Sequence, residues 1–391
     1  MPLDEVLTMG RIGVDLYPEQ VGVSLAEVRT FAKFLGGSAA NVAVAAARYG
    51  RRTAIITRTG DDPFGDFLHE RLGEFGVDDR YVTAVAGLPT PVTFCEIFPP
   101  DHFPLWFYRY PKAPDMEIYP SELDLGAVKG AGVFWVTGTG LSAEPSRTAT
   151  LAALAARNRA GITIFDLDFR PMFWRSRDEA RRWYAEALAL STVAVGNLDE
   201  VETAVGVRDP REAAEALHEA GAELAVIKQG PAGTLGSRAG ETVSVPPHPV
   251  EVVNGLGAGD AFGGALCHGL LAGWTLEAAM RFASVAGAIV ASRLSCSDAM
   301  PTEAEVRAAC IAGGDTSEAG QAAMDGRRRG GAAGENENTR APAAPGAPGV
   351  RDDGPGVEAP GAPGVRDYGP GHGAPGAPRG GGGWDVGAVY E

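Results

Sequence analysis

Short β-rich runs alternate with longer helical patterns through most of this chain, and no other feature limits the fold as strongly. The runs are bounded by Gly, Pro, Asn or Asp, and the segments between them carry apolar residues at helical spacing. The predicted strands are residues 6–14, 53–57, 133–137, 162–166, 193–195 and 224–228, and the predicted helices are 39–49, 63–75, 148–159, 178–190 and 211–220. Strands that alternate with helices form a mostly parallel sheet covered by helices on both faces. The sequence therefore predicts an α/β fold.

Two segments interrupt this alternation. Residues 31–35 form a short apolar run, and two further runs, 92–98 and 105–110, alternate apolar and polar residues between Pro and Gly turns. This period-two pattern is typical of antiparallel strands. We therefore expect a small antiparallel β lid, built from about residues 16–35 and 79–112, inserted in the α/β body.

Apolar periodicity stops near residue 313. A block that begins with Ala344 recurs from Ala359 and begins again at Ala374, and it consists largely of Pro, Gly and Ala. Such repeats bury too little apolar surface to offset the entropy lost on ordering. The sequence predicts one globular domain over residues 1–312 and a disordered Pro/Gly/Ala-rich tail over residues 313–391.

Charge and composition exclude several classes of function. A net charge of −16 leaves no basic stripe for a nucleic-acid backbone, and no apolar run reaches the length of a membrane span. The four cysteines have no metal-ligand spacing, and the amino terminus is acidic where a signal peptide would be basic. We expect a cytoplasmic protein that binds small molecules rather than nucleic acid or membrane.

A glycine-rich turn carries the clearest chemical signal. Gly255, Gly257 and Gly259 lead directly into Asp260 and then into a helix of small residues. Glycines let successive N–H groups point at one anion at the positive end of the helix. A carboxylate at that end stays ionised and can accept a proton. Phosphoryl transfer to an alcohol requires both an anion cradle and a base for the attacking hydroxyl.

Other interpretations of this turn differ in what they require. A dinucleotide-binding fingerprint needs a glycine where Asp260 stands, and a phosphate-binding loop of the Walker type needs a lysine after Gly259. Neither requirement is met. A tight turn with Asp260 as a helix cap remains open on this segment alone.

A second glycine pair precedes an earlier helix. Gly36 and Gly37 follow the first predicted lid strand, and Asn41 lies one turn into the next helix. Adjacent glycines permit close backbone approach to a ligand, and the Asn41 amide offers both a donor and an acceptor. Tight packing of the helix on the sheet explains the same small residues.

Residues 36–43 and 254–260, in this order and separation, make the chain resemble the ribokinase-like carbohydrate kinases, also called the PfkB family. The resemblance covers residues 6–312. It implies a ribokinase-like fold, transfer of phosphate from ATP to a sugar hydroxyl with Mg²⁺, and pairing of two chains through their lids. A sugar sensor of the same fold that does not phosphorylate is the alternative from another class.

The resemblance also implies roles for particular residues. Asp260 corresponds to the catalytic base, and the amides of Gly257, Ala258 and Gly259 would hold the developing charge. The implied substrate-binding residues are Asp15, Gly36, Gly37, Asn41, Arg109 and Arg170. The implied ATP-binding residues are Asn197, Glu200, Lys228, Gly230, Gly233, Gly257 and Gly259. Asn197 and Glu200 would approach Mg²⁺ through water, and their alternative role is a helix cap with a capping-box partner.

Two arginines bear on the substrate. Arg109 lies in an aromatic lid segment and Arg170 follows Asp168, and a guanidinium can clamp a carboxylate with two hydrogen bonds. Surface ion pairs are the alternative. Segments 10–17, 107–115 and 166–174 are similar to those of family members that act on keto sugar acids. The expected acceptor is 5-dehydro-2-deoxy-D-gluconate, an intermediate of myo-inositol catabolism, with 2-keto-3-deoxygluconate or another sugar as the alternative.

Two positions depart from the family pattern. Asn254 and Gly255 replace an Asp-Thr pair whose aspartate is associated with a monovalent-cation site, which puts activation by potassium in doubt. Asp168 replaces an asparagine and adds a negative charge near the expected phosphates.

Overall fold

The strands of this chain form two separate sheets. The computed structural model describes residues 4–313, and apart from Gly313 the predicted tail lies outside them. The strands are β1 (Val6–Met9), β2 (Gly13–Pro18), β3 (Phe31–Gly36), β4 (Thr53–Gly60), β5 (Val77–Asp78), β6 (Val82–Val85), β7 (Val92–Cys95), β8 (Leu105–Tyr108), β9 (Val133–Thr137), β10 (Ile162–Asp166), β11 (Val193–Asn197), β12 (Leu224–Lys228), β13 (Thr234–Arg238) and β14 (Glu241–Val245). The α-helices are α1 (Ser38–Arg48), α2 (Pro63–Glu74), α3 (Leu125–Gly130), α4 (Ser146–Arg157), α5 (Arg177–Ala189), α6 (Leu198–Val205), α7 (Pro210–Glu219), α8 (Ala258–Leu271), α9 (Leu276–Ala291) and α10 (Glu303–Ala312).

The large sheet has ten strands in the order β14-β13-β12-β11-β10-β9-β1-β4-β5, with β6 paired to β4. All of its pairings are parallel except the two made by β13, which pairs antiparallel with β12 and with β14. The mostly parallel sheet predicted from the sequence is confirmed. Strand order proceeds outwards from β1 in both directions, so a crevice opens at the carboxyl ends of β1 and β9, where open α/β sheets bind ligands.

Side chains of the central strands alternate between two cores, as the period of a strand requires. Val133 and Trp135 of β9 face a core completed by α1, α8 and α9, whereas Phe134 and Val136 face a core completed by α4 to α7. The helices therefore cover both faces of the sheet.

The small residues of α8 allow it to pack closely on its neighbours. A Cβ on Gly264 would lie 2.4 Å from the Cβ of Ala45 in α1, and one on Gly263 would lie 2.6 Å from the Trp135 ring. Side chains at these glycines would push α1 and α8 apart, and the two helices carry the main candidate residues of the site.

The small sheet has four strands in the order β3-β2-β7-β8. Its outer pairs, β2 with β3 and β7 with β8, are antiparallel, and the central pair of β2 with β7 is parallel. A separate small sheet is thus present as expected. Val82–Val85, inside the segment expected in the lid, instead extends the large sheet by pairing with the carboxyl half of the long strand β4.

The first predicted strand, residues 6–14, is divided between the two sheets. β1 ends at Met9, and β2 begins at Gly13 after a three-residue connection. Gly10 in this connection has a φ of 151°, and a Cβ there would lie 2.8 Å from the Thr137 hydroxyl. The chain therefore crosses from the body to the small sheet directly beside β9.

No helix within residues 4–313 is long and apolar enough to cross a membrane.

Candidate active site

Asp260 and Asn41 meet where the first turns of α8 and α1 come together. The Asn41 Nδ2 group donates a hydrogen bond of 2.8 Å to Asp260 Oδ2. Helix α8 begins after Gly257, which has a φ of 81° and provides no side-chain cap. Asp260 is thus directed at Asn41 rather than at the backbone of its own helix, and the capping role left open by the sequence is not the one observed.

The surroundings of Asp260 are suited to a base that works near neutral pH. Burial raises the pKa of its carboxyl to about 6, while the hydrogen bond from Asn41 opposes this rise. Asp168 raises this pKa further, whereas Lys228 and Arg11 lower it. Asn41 Oδ1 is buried without a hydrogen-bond partner. The pair therefore offers a proton acceptor and a free amide oxygen that could accept from a substrate hydroxyl.

The glycine turn before α8 lies against a cation. A Cβ on Gly259 would be 3.2 Å from Lys228 Nζ, and one on Gly257 would be 2.6 Å from the Cβ of Cys296. Burial lowers the pKa of Lys228, but Asp166 and Glu200 outweigh this effect and the pKa lies above its usual value. The first N–H groups of α8, including those of Ala258 and Gly259, have no partner within the helix. A lysine and a helix amino terminus together form an anion site.

Gly36 and Gly37 make room for Asp15 and for the connection after β1. A Cβ on Gly36 would lie 2.1 Å from the carboxyl carbon of Asp15. Gly37 has a φ of 101°, and its Cβ would lie 2.4 Å from the carbonyl oxygen of Arg11. Burial raises the pKa of Asp15 to about 6, and Cys296 Sγ donates a long 3.5 Å hydrogen bond to its carboxylate. This carboxylate therefore occupies the space that a side chain at position 36 would fill.

Asn197 and Glu200 form the helix cap that the sequence left as an alternative. Glu200 N donates to Asn197 Oδ1 at 2.9 Å, and Asn197 N donates to Glu200 Oε2 at 2.7 Å. The second oxygen, Glu200 Oε1, lies 3.7 Å from an Arg170 nitrogen. Within residues 4–313 no group of three or more acidic, His or Cys side chains could hold a metal ion. Glu200 Oε1 fits an ion that keeps most of its water, which is how Mg²⁺ is commonly bound.

Gly230 and Gly233 form the turn after β12. Their φ values are 55° and 90°, and a Cβ on Gly233 would lie 2.1 Å from the carbonyl oxygen of Val245. Gly233 thus permits the chain to pass the end of β14, whereas nothing lies within 4 Å of a Cβ on Gly230.

Asp168, which adds a charge to the family pattern, is neutralised locally. Arg170 lies 3.0 Å from one of its oxygens, and the Thr139 hydroxyl donates to the other at 2.8 Å. The carboxylates of Asp168 and Glu200 hold the pKa of Arg170 above its usual value against the effect of burial. The added charge therefore does not face the phosphate side of the site uncompensated.

Arg109 forms a buried ion pair, not the surface ion pair that was the alternative to a substrate contact. Its Nη2 donates to both carboxylate oxygens of Asp115, at 3.0 and 2.8 Å, and Asp115 is fully buried. The guanidinium also lies 5.0 Å from the centre of the Phe173 ring.

Arg11 belongs to this region although its sequence pattern did not single it out. It is 8% exposed, lies directly after β1, and its guanidinium carbon is 5.3 Å from the centre of the Phe107 ring. Burial lowers its pKa; Asp168 and Asp15 counteract this, while Arg109 and Arg170 add to it. Position at the carboxyl end of the first strand is the only sequence signal that could have identified it.

These features define a class of protein: a kinase that transfers phosphate to the hydroxyl of a small molecule, with a carboxylate base beside a helix amino terminus in an α/β sheet. The chain belongs to the pfkB family of carbohydrate kinases, whose family model matches residues 3–303.

Individual relatives agree with this assignment. The chain is 34% identical over 309 residues to the 5-dehydro-2-deoxygluconokinase of Shouchella clausii (strain KSM-K16), covering 78% of this chain and 94% of the relative. The aminoimidazole riboside kinase from Salmonella enterica, solved with aminoimidazole riboside and an ATP analog, has a TM-score of 0.65 and 27% identity over 78% of this chain and 98% of that chain. A putative ribokinase II from E. coli, solved with ATP and Mg²⁺, shares the fold at a TM-score of 0.72 and 23% identity over 79% of this chain and 100% of that chain.

Proposed function

We propose that this carbohydrate kinase phosphorylates the primary hydroxyl of a keto sugar acid, with 5-dehydro-2-deoxy-D-gluconate as the acceptor and its 6-phosphate as the product, in myo-inositol catabolism. The observation that carries this proposal is a group of three guanidiniums: Arg109 and Arg170 lie close enough to Arg11 to lower its pKa, and Arg11 in turn lowers the pKa of Asp260. Cations on the substrate side favour an acidic acceptor, and the relative from Shouchella clausii is named for a kinase of such an acid.

In the proposed reaction Asp260 removes the proton from the acceptor hydroxyl while the oxygen of that hydroxyl attacks the γ-phosphorus of ATP. The new bond joins the sugar oxygen to phosphorus, and the bond from phosphorus to the ADP oxygen breaks. Asn41 holds the Asp260 carboxylate in place through its 2.8 Å hydrogen bond. The amides of Gly257, Ala258 and Gly259, with Lys228 beside them, stabilise charge on the transferring group. Asp15, Gly36 and Gly37 form the sugar side.

The proposed nucleotide side lies along the carboxyl ends of β11 and β12. Asn197, Glu200 and Lys228 end or follow these strands, and Gly230 and Gly233 form the next turn. Mg²⁺ would be held by Glu200 and Asn197 through water and would neutralise phosphate charge. Solved members of the fold contain ATP with Mg²⁺ or an ATP analog, which supports ATP as the phosphate donor.

We also propose that two chains pair through the small sheet. Strand β8 is an edge strand whose Trp106 and Tyr108 are 49% and 63% exposed, and an edge with exposed aromatic side chains favours pairing with another chain. The proposed cytoplasmic location agrees with Cys95, Cys267 and Cys296, which are buried thiols rather than disulfides.

The test is ATP-dependent phosphorylation by the full chain with Mg²⁺, comparing 5-dehydro-2-deoxygluconate, 2-keto-3-deoxygluconate and fructose at equal concentrations. We expect the highest kcat/KM for the first. Preference for 2-keto-3-deoxygluconate would replace the acceptor but keep a sugar-acid kinase. Preference for fructose would refute the acidic acceptor, and binding of sugars without phosphorylation would favour the sensor.

A further inference from the structure

Arg11 is a buried cation without a protein partner. Its side chain is 8% exposed, and its Nε is buried with no hydrogen-bond partner. Within residues 4–313 no carboxylate lies within ion-pair distance of it, although Asp168 and Asp15 are near enough to raise its pKa, and its guanidinium carbon is 5.3 Å from the centre of the Phe107 ring. A buried charge without a partner is costly, because burial removes water without replacing its hydrogen bonds.

The neighbouring arginines, Arg109 and Arg170, each form an ion pair with a protein carboxylate. Arg109 is bound by both oxygens of the fully buried Asp115, and Arg170 pairs with Asp168 at 3.0 Å. Each of these two guanidinium charges is therefore already balanced by a protein carboxylate within ion-pair distance. Among the three, Arg11 is the one whose guanidinium has no carboxylate within ion-pair distance in the described part of the chain.

The position of Arg11 separates it from the phosphate side. Its backbone packs against Gly37, next to the Asp15 carboxyl that lies against Gly36, whereas Lys228 Nζ lies beside Gly259. Asp260 responds to both cations. Arg11 therefore lies with Asp15 on the proposed sugar side, and Lys228 lies beside the glycine turn before α8.

We propose that Arg11 is the residue that binds the carboxylate of the acceptor and so determines the preference for an acid over a neutral sugar. The proposal rests on the proposed function, since it requires an acidic acceptor. A guanidinium fixed over the Phe107 ring presents its donors in one plane, which matches the two oxygens of a carboxylate. Arg109 and Arg170 then remain paired with Asp115 and Asp168 and do not bind the carboxylate of the acceptor.

The test compares Arg11→Met, Arg11→Lys and a control in the full chain. The control is Arg182→Met, because the Arg182 guanidinium also lies over an aromatic ring, 5.0 Å from the centre of Trp183, but on the exposed surface of α5. Steady-state kcat and KM are measured with 5-dehydro-2-deoxygluconate and with its neutral analogue in which the carboxylate is reduced to an alcohol. Thermal unfolding is measured with and without the acid, in the absence of ATP.

For Arg11→Met we expect a loss of about 100-fold in kcat/KM for the acid, mainly through KM, because one partner of a buried charge pair is removed. The loss for the neutral analogue should be much smaller than the loss for the acid, since no interaction with a carboxylate is lost. Arg11→Lys should recover part of the preference, because it restores the charge without the planar pair of donors. Arg182→Met should behave as wild type.

Thermal unfolding separates this role from a structural one. Without ligand, Arg11→Met should unfold at the same or a higher temperature than wild type, because an unpaired buried charge is gone. The increase in unfolding temperature that the acid produces in wild type should be absent in this variant. Unfolding at a lower temperature together with equal losses on both substrates would overturn the proposal and assign Arg11 a structural role.

The two proposals fail in different ways. A wild-type enzyme that phosphorylates the neutral analogue but neither binds nor phosphorylates any sugar acid refutes the proposed function, and the inference about Arg11 with it. A wild-type enzyme that prefers the acid, with the same preference in Arg11→Met, refutes only the inference about Arg11.

Discussion

Replacing Asp260 with asparagine should abolish most turnover and at the same time stabilise the folded protein at neutral pH. The amide oxygen of the new side chain can still accept the hydrogen bond that Asn41 donates, so packing at this point is preserved, but the amide cannot accept a proton from the substrate. The ionised carboxylate is disfavoured in the fold, because burial raises its pKa from 3.8 to about 6. A shift of about two units corresponds to about 3 kcal/mol, at about 1.4 kcal/mol per unit.

The sign of this effect depends on pH. Because the folded pKa lies above the unfolded value, the contribution of Asp260 to stability is fully present below about pH 3.8 and is lost as the pH rises through about 6. The free energy of unfolding of Asp260→Asn should therefore exceed that of wild type by up to about 3 kcal/mol at pH 7.5. The difference should shrink towards zero near pH 4.

Urea unfolding followed by tryptophan fluorescence between pH 4 and pH 8 measures this difference, and turnover is measured on the same samples. Asp178→Asn is the matched control, since the Asp178 side chain is 90% exposed at the start of α5. The reasoning about burial is refuted if Asp260→Asn is less stable than wild type at pH 7.5, or if its advantage does not vary with pH. Substantial residual turnover would refute the role as base.

Three further outcomes are expected. In wild type, kcat/KM should fall about tenfold per pH unit below about pH 6, since Asp260 must be ionised to act as a base; a profile that is flat down to pH 5 would contradict this. Potassium should not change turnover relative to sodium, because Asn254 replaces a carboxylate and its amide is already hydrogen-bonded, donating to Leu294 O at 2.7 Å and accepting from Leu256 N at 3.1 Å. Strong activation by potassium would show that another group provides the monovalent-cation site. Gly36→Ala should raise the KM for the sugar about tenfold or more, because the new Cβ would lie 2.1 Å from the carboxyl carbon of Asp15. Gly73→Ala in α2, where nothing lies within 4 Å of the new Cβ, should leave KM unchanged, and equal effects of the two substitutions would contradict this explanation.

The large sheet could be predicted because each buried strand leaves a local signal in the sequence. The division of the first predicted strand between two sheets could not. Apolar residues continue on both sides of residues 10–12, and a sequence does not show that consecutive strands join different partners. The pairing of Val82–Val85 with β4 was missed for the same reason, since it depends on a neighbour that lies far away in the chain.

The residues of the candidate site that lie at glycine turns could be predicted from the sequence, whereas the ion pairs of the site could not. Two turns indicated Asp260 and Asn41, although their hydrogen bond depends on how α8 packs against α1. The sequence places Asp115 six positions after Arg109, but only the fold shows that the two are paired. Arg11 forms no motif, and its importance follows from burial without a partner, which is a three-dimensional property.

The three-residue connection between β1 and β2 has a mechanical consequence. It joins an interior strand of the large sheet to an interior strand of the small one, and Arg11 is its middle residue. Any tilt of the small sheet relative to the large one requires a change in the backbone angles of such connections, so the tilt and the direction of the Arg11 side chain are geometrically coupled. With Arg11 as the proposed contact with the acceptor, engineering of this scaffold towards neutral sugars would have to adjust the connection as well as the side chain, because the same three residues join the two sheets.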